Sequence, residues 1–334
     1  MNWRKKIANV FGLLGLAAAL TALFLSFRFR DAALGGAAGT LAPEPDPACY
    51  GQASESASLD WLLDAAADLL EGQDTLFRTD TSIKTGSTIN YYLDGSILAI
   101  TWKQVINNRV YTLCEVKIAD ASQFRRYLAG GAYGSGVQAL TTEMAQSVNA
   151  VAASSGDFYA YRRQGVIIYD GDVKRADGAE VDTCCIDENG DLIFLHAGEI
   201  LDMASAEAFA DTHKIRFSLA FGPILIENGV RCEPDAYPLG DIDENYARAA
   251  LAQLGERHYL LATVNTEGIY LNHADIHELA GTLESLGCQQ AYTLDGGQTA
   301  VIAMNGQTMN SVLFGYQRQV SDIIYFATAV GNGG

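Results

Sequence analysis

The sequence predicts an α+β protein: mixed β-sheets with packed helices, forming one globular domain behind an N-terminal transmembrane helix. Three observations carry this. Of 334 residues, 49% are hydrophobic and 19% charged, which supplies a sizeable core and rules out a disordered chain. Short apolar or alternating runs bounded by Asn-Gly and Asp-Gly turns recur through residues 85–330, and only a few segments carry helical spacing. No βαβ alternation at fixed period, internal repeat, heptad or G-X-Y pattern runs through the chain.

The N-terminus opens with Arg4, Lys5 and Lys6, followed by an uncharged apolar run over 7–27. As a helix that run spans about 30 Å, the thickness of a bilayer core. It exceeds the roughly 7–15 apolar residues of a cleaved signal peptide, so an uncleaved anchor is expected within residues 1–30. Arg28 and Arg30 follow the run. The heavier basic flank before it leaves the N-terminus in the cytoplasm and the body outside, on the cell membrane as a single-pass protein. Residues 31–57, with Gly35-Gly36, Pro43, Pro45 and Pro47, read as a linker. Cys49, Cys114, Cys184, Cys185, Cys232 and Cys288 show no CxxC or zinc spacing, and free buried thiols are expected for most of them.

Residues 58–71 have the spacing of an amphipathic helix stopped by Gly72, within a helical lead-in over 58–84. Residues 87–102 read as a hairpin turning at Asp94-Gly95, and 110–118 as a strand. Short helices are predicted over 122–129 and 141–147, then a strand over 148–153. Strands follow over 165–169, 182–186 and 192–195, and a helix over 205–212. Residues 217–226 read as a strand broken at Gly222-Pro223. Residues 259–264 read as a buried strand, 274–286 as an amphipathic helix closed by Gly287, and 290–294 as a strand. A hairpin of 301–304 with 311–314 around Asn305-Gly306 and a last strand over 323–327 complete the domain.

Forty acidic residues face 22 basic ones, and five of the basic ones lie in the acid-free first 30 residues. The remainder has 17 basic against 40 acidic residues, a net charge of −23. Such a body binds neither nucleic acid nor an anionic membrane surface, and a phosphate-bearing ligand needs a local cationic site. No P-loop, GxGxxG, GxSxG or HExxH occurs, and no cofactor is implied. Asp295-Gly296-Gly297-Gln298-Thr299 ends a strand in a carboxylate followed by two glycines, either a ligand loop or an ordinary Asp-Gly turn. Ser155-Gly156-Asp157 repeats that pattern. Arg248 stands in an apolar stretch, where a guanidinium needs a carboxylate or phosphate, structural or bound. His273 and His277 lie four apart on one helix face with no third ligand signalled, and Asp241, Asp243 and Glu244 lack calcium-loop spacing.

These stretches, taken in order, resemble the phosphodiester glycosidase family, in its bacterial, exopolysaccharide-biosynthesis-related branch. The resemblance covers about 95–328. It rests on Val116-Lys117-Ile118-Ala119-Asp120, Ser122-Gln123-Phe124-Arg125, Thr142-Glu143-Met144-Ala145, Gly156-Asp157-Phe158-Tyr159, Phe221-Gly222-Pro223, Arg248, His258-Tyr259, Leu294-Asp295-Gly296-Gly297 and Ser321-Asp322-Ile323-Ile324-Tyr325. It implies hydrolysis of a sugar-1-phosphodiester, with a glycan or sugar phosphate as partner beside the membrane that holds the N-terminal helix. It also implies Asp295 and Asp157 as acidic groups and Arg248 as phosphate clamp, with Gly296, Gly297, Thr299, Gly156 and Ser155 facing the substrate. Two departures stand out. Ser155 replaces the family's Asn, and Asn265-Thr266-Glu267 replaces its Asp-Gly-Arg. An anion at Glu267, ~4 Å from a phosphate, would repel it by about 4 kcal/mol at an effective dielectric near 20. The resemblance therefore implies either an active glycosidase or a catalytically silent glycan-binding or scaffold protein, with a metal-dependent hydrolase using His273 and His277 a distant third.

Overall fold

A ten-residue pair, Ile97–Ile106 and Arg109–Ile118, forms the central hairpin of the protein. Asn107 and Asn108 close it with positive φ of 50° and 61°, the left-handed geometry that a two-residue hairpin turn needs and asparagine tolerates. The structure is a computed structural model that describes residues 41–77, 83–264 and 273–330. The expected anchor at 7–27 and the Asn265-Thr266-Glu267 departure lie outside the described residues. Among the described residues no helix is long and apolar enough to cross a membrane.

The hairpin sits inside a nine-stranded sheet. In spatial order its strands are Tyr50–Ser54, Thr88–Leu93, Ile97–Ile106, Arg109–Ile118, His258–Val264, Ala249–Gly255, Gln290–Leu294, Ile224–Glu227 and Val230–Arg231. A five-stranded sheet holds Leu192–Leu195, Thr183–Ile186, Phe217–Leu219, Gly165–Tyr169 and Asp172–Asp177. A third holds Gln307–Thr308, Ile302–Met304, Ala152–Ser155, Asp322–Phe326 and Phe124–Leu128. The pairings among the described residues are antiparallel.

Alternation of side chains along each strand divides the core into two layers. Leu260, Ala262 and Ala250 face the helix Ile276–Ser285 and the lead-in helices, meeting Leu279, Leu283 and Leu62. Leu261, Leu251 and Tyr292 face the two smaller sheets, meeting Phe124, Leu219 and Ile302. Burial on both faces is why residues 258–264 are almost continuously apolar. The three sheets meet at an aromatic cluster. Phe124 lies 4.7 Å from Phe326, 4.9 Å from Tyr259 and 5.3 Å from Phe217, centroid to centroid.

The structure corrects several sequence expectations. Residues 122–129 are not a helix: one 3-10 turn, Ala121–Gln123, gives way to the strand Phe124–Leu128, because pairing with Asp322–Phe326 outweighs local propensity. Residues 311–314 do not pair with Ile302–Met304, whose partner is Gln307–Thr308; the turn Leu313–Gly315 stands there instead. The expected linker contains an edge strand, since Tyr50–Ser54 pairs with Thr88–Leu93, so the folded body begins before residue 58. The expected helix over 58–71 is two, Asp60–Ala65 and Ala67–Leu70. All six cysteines are free.

A buried carboxylate ties the lead-in to the large sheet. Glu115 is 3% exposed and accepts hydrogen bonds from Leu76 N at 2.9 Å, Phe77 N at 3.1 Å and His258 Nε2 at 2.8 Å. Replacing it leaves those donors unsatisfied in the interior. Glu115→Ala should lower stability by about 3 kcal/mol in urea unfolding. A loss below about 0.5 kcal/mol, the size of an ordinary surface change, would show that this carboxylate does not hold the lead-in.

Candidate active site

The strand Gln290–Leu294 ends at Asp295, in a cleft of about 260 Å³ that Gly296, Arg248, Arg318, Arg162 and Phe158 also line. A roomier cavity of about 460 Å³, beside Arg125 and Arg216, contains none of these groups, so size does not select the site. The two glycines after Asp295 are required by a close approach of backbone. Gly297 has φ +68° and donates its N–H to Ala247 O at 2.7 Å. A Cβ on Gly296 would lie 2.6 Å from that same oxygen, and one on Gly297 would lie 2.7 Å from Tyr246 Oη. Thr299 is fully buried and donates its hydroxyl to Gly296 O at 2.7 Å. Gly296 therefore faces the cleft, while Gly297 and Thr299 fix the loop behind it.

Asp295 accepts from Arg318 Nη2 at 2.8 Å. Burial pushes its carboxyl above the usual carboxylate value, and the Arg318 guanidinium pulls the other way. Arg162 lies over the rings of Phe158 at 5.2 Å and Phe221 at 5.7 Å. Among the described residues its guanidinium has no hydrogen-bond acceptor, so the whole fork is open to the cleft's contents. Burial lowers its pKa, and Asp295 opposes that. Arg248 is more committed. Its Nη2 donates to Asp241 O at 2.8 Å and Glu244 O at 2.7 Å, and its Nε to Ala274 O at 3.4 Å. It lines the cleft chiefly as the stitch that holds the 241–244 loop.

Asp157 is elsewhere. Its carboxylate has no solvent exposure and points away from the cleft. It accepts from Arg126 Nη2 at 2.8 Å, Tyr159 N at 2.9 Å and Ala220 N at 2.7 Å. Arg126 also donates through Nε to Asp322 at 2.9 Å, and that carboxylate is buried too. Gly156 is glycine because a Cβ there would lie 2.0 Å from Asp322 Oδ2. Ser155 is buried, outside the cleft lining, with an unpartnered hydroxyl. The structure thus gives Asp157, Gly156 and Ser155 a place behind the site. They remain joined to it, since Asp295 N donates to Gly156 O at 3.3 Å and Phe158 follows directly as cleft wall. His273 and His277 take different partners: His273 O accepts from Arg109 Nε at 2.6 Å, and His277 Nε2 lies 3.6 Å from Asp243. Among the described residues no three His, Cys, Asp or Glu side chains gather as a metal-binding group.

Arg162, Arg318, Arg126 and Asp322 were not among the site residues expected from sequence. A single arginine carries no spacing signal. Only the family-like stretches around Phe158 and Asp322 pointed to this region.

Against known proteins, the family model described as phosphodiester glycosidase matches residues 148–327. This chain belongs to the phosphodiester glycosidase family. The match takes in Asp157, Arg162, Arg248, Asp295, Arg318 and Asp322. A curated relative, the SPbeta prophage-derived uncharacterized protein YomE of Bacillus subtilis (strain 168), is 24% identical over 165 residues, 48% of this chain and 24% of that protein. The chain thus spans about a quarter of that relative's length. The catalytic domain of zebrafish N-acetylglucosamine-1-phosphodiester alpha-N-acetylglucosaminidase, auto-inhibited by its pro-peptide, is 14% identical with a TM-score of 0.55. The superposition covers 89% of this chain and 98% of that one, and it shows a shared fold. A hypothetical protein from Synechocystis matches with 14% identity and a TM-score of 0.48, over 70% of this chain and 62% of that one.

The buried cluster sets a pH dependence for this phosphodiester glycosidase fold. Two carboxylates around one guanidinium carry an excess negative charge unless one is protonated. Burial, with Asp157 adding to it, pushes Asp322 up to about 8 against the pull of Arg126. An acid held protonated in the fold but not in the unfolded chain stabilises at low pH, and that contribution is lost as pH rises toward 8. Asp322→Asn, permanently neutral, should flatten the parent's decline in unfolding free energy between pH 5 and 8, a slope on the order of 1 kcal/mol per pH unit. Parallel slopes for the two proteins would show that Asp322 carries no proton there.

Proposed function

We propose that this chain hydrolyses a sugar-1-phosphodiester in cell-envelope or exopolysaccharide glycans, from the outer face of a membrane in which residues 7–27 anchor it. The observation that supports this best is the meeting, in one cleft, of the buried Asp295, paired with the half-exposed Arg318, and the uncommitted Arg162 fork. In the reaction the anomeric C–O bond breaks, its electron pair leaves with the phosphate, and water supplies OH to the sugar and a proton to solution. A phosphomonoester is a good leaving group, so one carboxylate suffices to stabilise the positive anomeric centre or to take the proton from water. Asp295 fills that role in its ionised form. Arg162, with Arg318 and the free Nη1 of Arg248, neutralises the phosphate. The second reading, a silent glycan binder, is favoured by Glu267 standing where the family carries a cation.

The substrate probe is an α-N-acetylglucosamine-1-phosphodiester, the chemistry in the zebrafish enzyme's name. The full chain should release free sugar, and Asp295→Ala should lower kcat by a factor on the order of 10³. Arg162→Ala should raise KM by roughly ten- to hundredfold, as expected for loss of a charge-assisted bidentate contact. Because Arg318 favours the ionised carboxyl of Asp295, Arg318→Ala should move the acid limb of the pH–rate profile to higher pH. Equal turnover by parent and Asp295→Ala would overturn the assignment. No turnover by the parent, restored by Asn265→Asp with Thr266→Gly and Glu267→Arg, would establish the silent reading.

A further inference from the structure

Exposed aromatic side chains are concentrated at this cleft. Among the described residues the large exposed aromatics are Trp61, Tyr161, Tyr246, Phe314 and Tyr316, and four of the five border the site. Tyr246 lines the cleft, and Tyr161 stacks at 4.3 Å on Phe158, which also lines it. The turn Leu313–Gly315, which presents Phe314, packs on the turn Gly297–Thr299. Tyr316 O accepts from Gln298 Nε2 at 3.3 Å, and Arg318 N donates to Gln298 O at 3.2 Å.

Phe314 is 73% exposed and Tyr316 65% exposed, so neither ring contributes to the core. Phe314 also has φ +61°, a conformation that a bulky L residue adopts only at a cost in strain. Strain with no packing in return points to a bound partner. The chemistry selects which one. Polar Gln298 and Arg318 line the same cleft and are tied to this turn, so the aromatic side chains share the site with hydrogen-bonding groups rather than with the apolar surface that a protein partner buries. A flat ring beside hydrogen-bonding groups fits a pyranose, whose C–H face packs on the ring while its hydroxyls bond to the neighbours.

We propose that Tyr161, Tyr246, Phe314 and Tyr316 form a platform for the glycan chain flanking the scissile phosphodiester, so that the substrate class is an oligomeric or polymeric glycan phosphodiester rather than a single sugar phosphodiester. The inference rests on the reading of the cleft as a sugar-phosphodiester site. The test uses the full chain on an array of neutral and phosphodiester-linked oligosaccharides of one to eight units. Affinity should rise with chain length. Phe314→Ala with Tyr316→Ala should lower it by about tenfold or more, the factor that about 1.4 kcal/mol carries, for chains of three or more units only. Val230→Ala, an exposed position on the edge of the large sheet, should bind as the parent does. Affinity independent of length, or unchanged in the double variant, would overturn the proposal. Length-dependent binding without hydrolysis would sink the hydrolase reading and leave the platform standing; hydrolysis without length dependence would do the reverse. Phe314→Gly separates function from structure: relief of the positive φ should raise Tm while weakening binding. A lowered Tm would mean that the ring is packed for stability.

Discussion

Two carboxylates and one guanidinium, none of them touching solvent, meet behind the cleft, and the geometry of the site descends from them. Arg126 reaches from the strand Phe124–Leu128 to Asp322 on the neighbouring strand, to Asp157 in the loop after Ala152–Ser155, and to Ser218 O in the second sheet. Asp157 in turn accepts from Ala220 N, so two sheets are joined through one ion cluster. Breaking such a buried pair from one side costs roughly 3–5 kcal/mol, because it strands a charge in the interior. The cluster also orients function. Gly156 passes over Asp322 with no room for a side chain, its carbonyl receives the N–H of Asp295, and Phe158 emerges as the wall on which Arg162 and Arg318 rest.

Charge explains why the cleft is built as it is. A body with a large acidic excess repels a phosphodiester at long range, so recognition has to be local. Under the proposed function three arginines supply it: Arg318, held by an ion pair with Asp295, Arg248, held by nearby backbone carbonyls, and Arg162, held by aromatic rings that leave its donors free. Aromatic support holds a guanidinium without consuming the hydrogen bonds that a phosphate requires.

Much of this was legible in the sequence where a local rule governs the outcome. Residues 141–147, 165–169 and 290–294 have one dominant period each, and the structure keeps them as Thr141–Ser147, Gly165–Tyr169 and Gln290–Leu294. Asp295, Gly296 and Arg248 do meet in one cleft. What could not be read was set at long range. The strand Phe124–Leu128 exists because Asp322–Phe326 pairs with it, nearly 200 residues away in sequence. The family resemblance implies Asp157 as a second acidic group, and a strand-end carboxylate beside glycine has the same signature whether it faces substrate or an interior arginine. Arg126 decides between the two, and its place is visible only in the fold.

In the proposed reaction Asp295 and its arginines cut a glycosidic bond and leave the phosphate ester intact. Hydrolysis of an α-N-acetylglucosamine-1-phosphodiester in ¹⁸O-labelled water, with both products weighed by mass spectrometry, tests it most directly. Attack at the anomeric carbon puts the label in the hydroxyl of the released sugar and none in the phosphomonoester. Label in the phosphate would mean attack at phosphorus, and the assignment of Asp295 to the anomeric carbon would fall.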